Sequence, residues 1–99
     1  MLGQQGLSQL EEQAVRRALS NKLRSQLSKE TYKRIVSKGS EIAKGDNIDK
    51  VEELVQKFGG KAKDWIKKRG FDDLGQEYHW YENQGVKVGL KLAGELDPF

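Results

Sequence analysis

Glu77-Tyr78-His79-Trp80-Tyr81-Glu82-Asn83-Gln84-Gly85-Val86-Lys87-Val88-Gly89-Leu90-Lys91-Leu92 is the stretch whose reading decides the fold. Its first six residues are crowded with aromatic side chains, which favour a pleated, half-buried backbone. Asn83-Gln84-Gly85 reads as a turn, and Val86 to Leu92 alternates apolar with polar. Two strands joined by a tight turn make a hairpin. A three-residue loop with glycine at its positive-φ position pairs Glu82 with Val86, Tyr81 with Lys87, Trp80 with Val88, His79 with Gly89, Tyr78 with Leu90 and Glu77 with Lys91. Side chains alternate between faces. Tyr78, Trp80, Val86, Val88 and Leu90 then share an apolar face that packs on helices, and Glu77, His79, Tyr81, Lys87 and Lys91 share a wet one. Gly89 leaves open space beside the imidazole.

Upstream of the hairpin the apolar period is helical. Ser8 and Glu11 have capping-box spacing, and Leu10, Ala14, Val15, Ala18, Leu19, Leu23 and Leu27 form a stripe, which predicts a helix from Gln9 to Leu27. Ser28 and Thr31 open a second helix through Tyr32, Ile35 and Val36, bent at Gly39 and continuing to Lys44, with Gly45 as its stop. Asp46 caps a third, carrying Ile48, Val51, Leu54 and Val55, which Gly59-Gly60 terminates. A short fourth runs from Lys61 to Arg69, with Trp65 and Ile66 inward and Gly70 closing it. Phe71 and Leu74 fall in a bridging segment, and Ala93 to Phe99 is a tail along the surface. The expected class is α+β, with three or four N-terminal helices followed by a small antiparallel β-sheet that ends in a C-terminal β-hairpin. The expected organisation is one domain over residues 1–99, with 1–7 flexible, 8–69 helical, 71–92 sheet and 93–99 tail.

Ninety-nine residues suffice for one modest core and not for two. The chain has no cysteine, which excludes disulfides, thiolate metal sites and cysteine nucleophiles, and its single histidine, His79, excludes a multi-histidine metal centre. No cofactor or metal is expected. No apolar run approaches the ~20 residues that cross a bilayer, and Met1 to Gly6 lacks the pattern of a signal peptide. Eighteen Lys and Arg against 15 Asp and Glu give a net charge of +3. The charge is segregated: +5 over residues 1–45, −2 over 46–58, +4 over 59–70 and −4 over 71–99. Such a map suits a molecule with one pole for phosphates and another for a basic partner, although helices also carry Lys and Glu simply as wet surface.

The wet face of the hairpin carries the chemistry. Metal-free RNA cleavage needs a base for the ribose 2′-hydroxyl, an acid for the departing 5′-oxygen, and a cation for the five-coordinate phosphate. His79, with a reference pKa of about 6.5, serves as base or acid near neutral pH. Glu77 orients or partners it, Lys87 and Lys91 hold the phosphate, and Tyr81 donates a proton or stacks on a base. Arg16, Arg17, Lys22, Arg24, Lys61, Lys63, Lys67 and Lys68 are the candidate contacts to the RNA backbone. Sheet stability alone would also favour a Glu77–Lys91 pair on a solvated face. Trp65 and Trp80 read as core residues. Asp72-Asp73 reads as a solvated turn before it reads as a divalent-cation site.

The segment Gly59-Gly60-Lys61-Ala62-Lys63-Asp64-Trp65-Ile66-Lys67-Lys68, followed by His79-Trp80-Tyr81-Glu82-Asn83, Gly85 and the Lys-containing strand to Leu92, resembles the C-terminal toxin tips of bacterial polymorphic toxins. These are the variable ends of Rhs-repeat and contact-dependent growth inhibition proteins, and many look like the barnase/EndoU/colicin/RelE group of metal-independent ribonucleases, built on sheets of four or more strands. The likeness covers the last third or so of the chain. It implies a ribonuclease acting on tRNA or another structured RNA through His79, secreted as the tip of a larger effector and active in the target-cell cytoplasm. It also implies a cognate immunity protein as partner; no stable membrane insertion is expected, since no apolar run is long enough to span a bilayer. The alternative reading of the same residues is a non-catalytic basic module that docks nucleic acid or protein. A DNase or metal-dependent nuclease, with Asp72, Asp73 and Glu77 as ligands, is a third.

Overall fold

The computed structural model describes residues 27–99. Ser28 starts the first described helix: its hydroxyl accepts the Thr31 amide at 3.1 Å, satisfying a donor that the first turn leaves without a partner. Helix α1 (Lys29–Ser37) turns Ile35 inward. Strand β1 (Ser40–Lys44) follows, then a 3-10 turn at Gly45–Asn47 and helix α2 (Val51–Phe58), which buries Val51 and Leu54 and stops at Gly59, φ 87°. A second 3-10 turn, Ala62–Asp64, leads into β2 (Ile66–Phe71), β3 (Glu77–Asn83) and β4 (Val86–Leu92). The four strands form one antiparallel sheet in the order β1-β2-β3-β4.

Strand β3 lies inside the sheet and buries side chains on both faces. Tyr78 and Trp80 pack with Ile35 of α1 and with Leu90 on one face. Tyr81 packs with Trp65 and with Ile48, Val51 and Leu54 on the other. The sheet is therefore sandwiched between two helices rather than stacked beneath a helical block. Gly70 makes the first contact possible: a Cβ there would lie 2.7 Å from the Ile35 carbonyl oxygen and 2.8 Å from the Trp80 ring.

Several expectations are corrected. Among the described residues there are two helices, interleaved with strands, and not three or four ahead of the sheet. The predicted helix over Gln9 to Leu27 lies outside the described residues. The second helix does not bend at Gly39 and continue; it ends, and residues 40–44 become an edge strand. The third begins at Val51 and not at Asp46. The fourth does not exist. Ile66 to Phe71 pairs with β1 on one side and β3 on the other, and two ladders of backbone hydrogen bonds outweigh the weak helical preference of a Lys-rich segment. Gly70, read as a helix stop, is an interior strand glycine.

The hairpin is present but its register differs. Asn83 pairs with Val86, Glu82 with Lys87 and Tyr81 with Val88, so the loop is the two residues Gln84-Gly85. Both have positive φ, 49° and 85°, the conformation whose twist matches the strands it joins. Beyond Tyr81 a bulge shifts the pairing, and His79 meets Lys91 while Tyr78 meets Leu92. The two one-residue shifts have opposite consequences for the faces. Val86, Lys87 and Val88 exchange faces relative to the expectation. After the bulge the parity is restored, so Lys91 returns to the side of His79.

The β2–β3 connection is tied by Asp72. One carboxylate oxygen accepts the Leu74 and Gln76 amides, each at 2.9 Å, and the other accepts the Tyr78 hydroxyl at 2.9 Å. Desolvation would raise the Asp72 pKa, but these hydrogen bonds win and lower it. The Tyr78 phenol is pushed up to about 12, by burial first and by Asp72 second. Tyr81 is also raised, by burial and then by Asp97. Both phenols ionise less readily in the folded chain than in the unfolded one. Their contribution to stability is complete below the ordinary phenol value of 10 and is lost as pH climbs toward about 12. In spectrophotometric titration at 295 nm, Tyr78 and Tyr81 should resist ionisation at pH 10, and the urea midpoint should fall steadily above that pH. Three phenols titrating together near pH 10 with an unchanged urea midpoint would contradict this packing.

Candidate functional site

Residues directly opposite one another in an antiparallel sheet share a face. The pairings Ser40 with Arg69, Arg69 with His79 and His79 with Lys91 therefore set one row across all four strands, with the imidazole in an inner position. Glu77, two residues before His79 on β3, occupies the same face. Its carboxylate lies 2.6 Å from His79 Nε2. The His79 side chain is 17% exposed and that of Glu77 36%, so the pair is sheltered but reachable. An ionised carboxylate only accepts, so the neutral imidazole carries its proton on Nε2 and leaves Nδ1 as the basic nitrogen.

The rest of this face is closed by the C-terminal tail. Asp97 is 2% exposed. It accepts from the Tyr81 hydroxyl at 3.2 Å and pairs with Lys91 at 3.0 Å and Lys50 at 3.7 Å. Phe99 packs its ring against Tyr81, centroids 6.1 Å apart, and edge-on against Phe58 at 5.3 Å. Gly89, φ 72°, sits under Phe99, where a Cβ would come within 2.7 Å of the ring. Gly89, expected to leave space beside His79, lies instead against Tyr81, and Phe99 fills the space above it. The tail does not wander along the surface; a buried carboxylate pins it.

The five groups expected on one wet face thus separate. Glu77 and His79 stay together and partly open. Lys91 is beside them in the sheet, only 11% exposed and held by Asp97. Tyr81 is buried, and its hydroxyl is spent on the same carboxylate. Lys87 points to the opposite face, because the loop is one residue shorter than expected.

Among the candidate RNA contacts, Arg16, Arg17, Lys22 and Arg24 lie outside the described residues. Lys61 and Lys63 are exposed ahead of β2. Lys67 is on the His79 face, 6.0 Å over the Tyr81 ring. Lys68 is on the other face, 3.5 Å from Glu82, which also accepts the Trp80 indole at 2.7 Å. They do not form one basic helix surface, since consecutive strand residues face opposite ways. Sequence reasoning missed Arg69 and Ser40, which enter the row only through the β2 ladders, and Asp97, whose burial no local pattern announces. Asp72 and Asp73, weighed as cation ligands, are engaged elsewhere: Asp72 in its turn, and Asp73 in an exposed pair with Arg34 at 3.2 Å. Among the described residues no three His, Asp or Glu side chains are grouped to hold a metal ion. None of the described helices is long and apolar enough to cross a membrane.

The chain matches no protein-family model, no curated protein and no solved structure.

The two kinds of ion pair should differ sharply on mutation. Asp97→Ala strands a buried ammonium and a buried phenol, which costs about 3–5 kcal/mol. Asp73→Ala removes a solvated pair worth about 1 kcal/mol at most. Urea denaturation of the two variants checks this, and equal midpoints would refute the Asp97 anchor.

Proposed function

We propose that this domain cuts RNA by acid–base chemistry of its own side chains, as the toxin tip of a larger secreted bacterial effector. Its substrate is tRNA or another structured RNA in the cytoplasm of the cell it enters, and a cognate immunity protein restrains it in the producing cell. The observation that carries the reading is an imidazole oriented by a carboxylate at 2.6 Å and flanked in the sheet by Arg69 and Lys91. The resemblance of the Gly59–Lys68 segment and of His79-Trp80-Tyr81-Glu82-Asn83 to polymorphic toxin tips supports the biological setting. The four-stranded antiparallel sheet agrees with the strand number which that resemblance implies.

The chemistry follows from the geometry. Nδ1 of His79 takes the proton of a ribose 2′-hydroxyl while Glu77 holds the ring and stabilises the imidazolium that forms. The freed 2′-oxygen attacks the adjacent phosphorus, the bond to the 5′-oxygen breaks, and that oxygen leaves with a proton from water. One fragment ends in a 2′,3′-cyclic phosphate and the other begins with a 5′-hydroxyl. Negative charge grows on the phosphate during the step, and the planar guanidinium of Arg69 is suited to bind two of its oxygens at once. Lys91, whose charge Asp97 balances, borders the other side of the ring. Tyr81 and Lys87 take no part.

Total tRNA incubated with the purified protein should give discrete fragments, unchanged by EDTA, with 2′,3′-cyclic phosphate ends. His79→Ala should slow cutting about 10²–10⁴-fold. Arg69→Ala should slow it about 10²–10³-fold. Neither should move the urea midpoint by much. Intact RNA with shifted gel mobility would instead favour a docking module, and fragments abolished by EDTA would favour a metal-dependent nuclease.

A further inference from the structure

Phe71, the last residue of β2, pairs with Glu77 and so shares the face of His79. Its side chain belongs to neither core cluster and the residue is 53% exposed. The alternation that makes it face this way is enforced next door, where Gly70 sits against Trp80 and the Ile35 carbonyl on the opposite face. The guanidinium of Arg69 stands over the Phe71 ring, 6.0 Å from its centroid. Along β2, Lys67, Arg69 and Phe71 therefore form one strip on the His79 face, spaced about 6.7 Å apart by the strand repeat. Phe71 is diagonal to His79 across the ladder, about 7–8 Å away. Two cations followed by an exposed aromatic ring, set in line beside a base, suit successive backbone phosphates of a single strand with one of its bases turned onto the ring. A ring that packs in neither core cluster of the described residues offers its π-surface to a base.

We infer that Phe71 is the stacking platform for an unpaired nucleobase next to the scissile phosphate, so the substrate is RNA presented single-stranded at the cut, as in a loop or an open end. A base held in a duplex cannot reach the ring, because both of its faces are already stacked. The inference rests on the ribonuclease reading above. Arg69 then holds the scissile phosphate and Lys67 the next one along the strand, while Phe71 sets which nucleotide lies over the His79–Glu77 pair.

The test uses the whole protein and a single-stranded RNA whose cut site has been mapped. The same RNA is also made abasic at the nucleotide on either side of that site. Phe71→Ala should lower kcat/KM about 10- to 100-fold on the base-bearing RNA, mainly through KM. Phe71→Trp should preserve cutting, and its indole fluorescence should be quenched on adding RNA to the cleavage-deficient His79→Ala,Phe71→Trp protein. On the abasic RNA that removes the stacked base, Phe71→Ala and the parent should cut at the same reduced rate. Equal kcat/KM for parent and Phe71→Ala on base-bearing RNA overturns the inference, as does an undiminished effect of Phe71→Ala on both abasic RNAs. Each of those results leaves the parent's cutting intact and so spares the ribonuclease reading. Failure of the parent to cut any RNA overturns both.

Discussion

The carboxylate of Asp97 decides how much of one sheet face is interior and how much is open. Tyr81 and Lys91 are on that face because strand alternation puts them there, and both would be costly to bury without partners. One side chain from the tail satisfies the phenol, neutralises the ammonium and brings in Lys50 from the start of α2. With the tail fixed, Phe99 fills the space over Gly89 and packs between the buried Tyr81 and the partly exposed Phe58 at the end of α2. What remains uncovered around His79 is Glu77, Arg69 and Phe71. The site is the part of the face the tail does not reach.

The terminal hairpin was legible because its aromatic strand, its turn and its alternating strand each carry a local signal. The register was not. Three residues, Asn83-Gln84-Gly85, are all acceptable in a loop, and the sequence does not say that Asn83 belongs to the ladder. Nor does Gly89 announce a bulge, although its left-handed conformation is what permits one. The β2 segment was opaque for a different reason. Ile66-Lys67-Lys68-Arg69-Gly70-Phe71 has neither a helical nor an alternating period, since both faces it presents are partly polar. It becomes a strand through its neighbours on either side. Arg69 and Phe71 were lost to the sequence reading with it. Asp97 was hidden as well, because a carboxylate near a proline in a short tail looks like any solvated terminus.

This arrangement also explains how the charge pattern is used. The basic stretch over residues 59–70 is not a helix surface but a strand that divides its cations between the two faces. Lys68 turns to Glu82 and closes the α1 side, while Lys67 and Arg69 line the side that holds His79. The acidic residues of the last third are mostly consumed inside the fold. Asp72 ties a turn, Glu82 serves Trp80 and Lys68, Asp97 locks the tail and Glu77 serves the imidazole. A site with one carboxylate and an excess of positive groups is electrostatically disposed toward a phosphodiester.

The central claim is that the imidazole stands between Arg69 and Lys91 with Glu77 on Nε2. NMR of the isotopically labelled protein tests it most directly, through cross-strand NOEs read together with the long-range ¹⁵N correlations of the one histidine ring. NOEs linking His79 to both Arg69 and Lys91, with the ring proton on Nε2, are the predicted result. NOEs placing His79 opposite Gly89, or a neutral ring protonated on Nδ1, would contradict it.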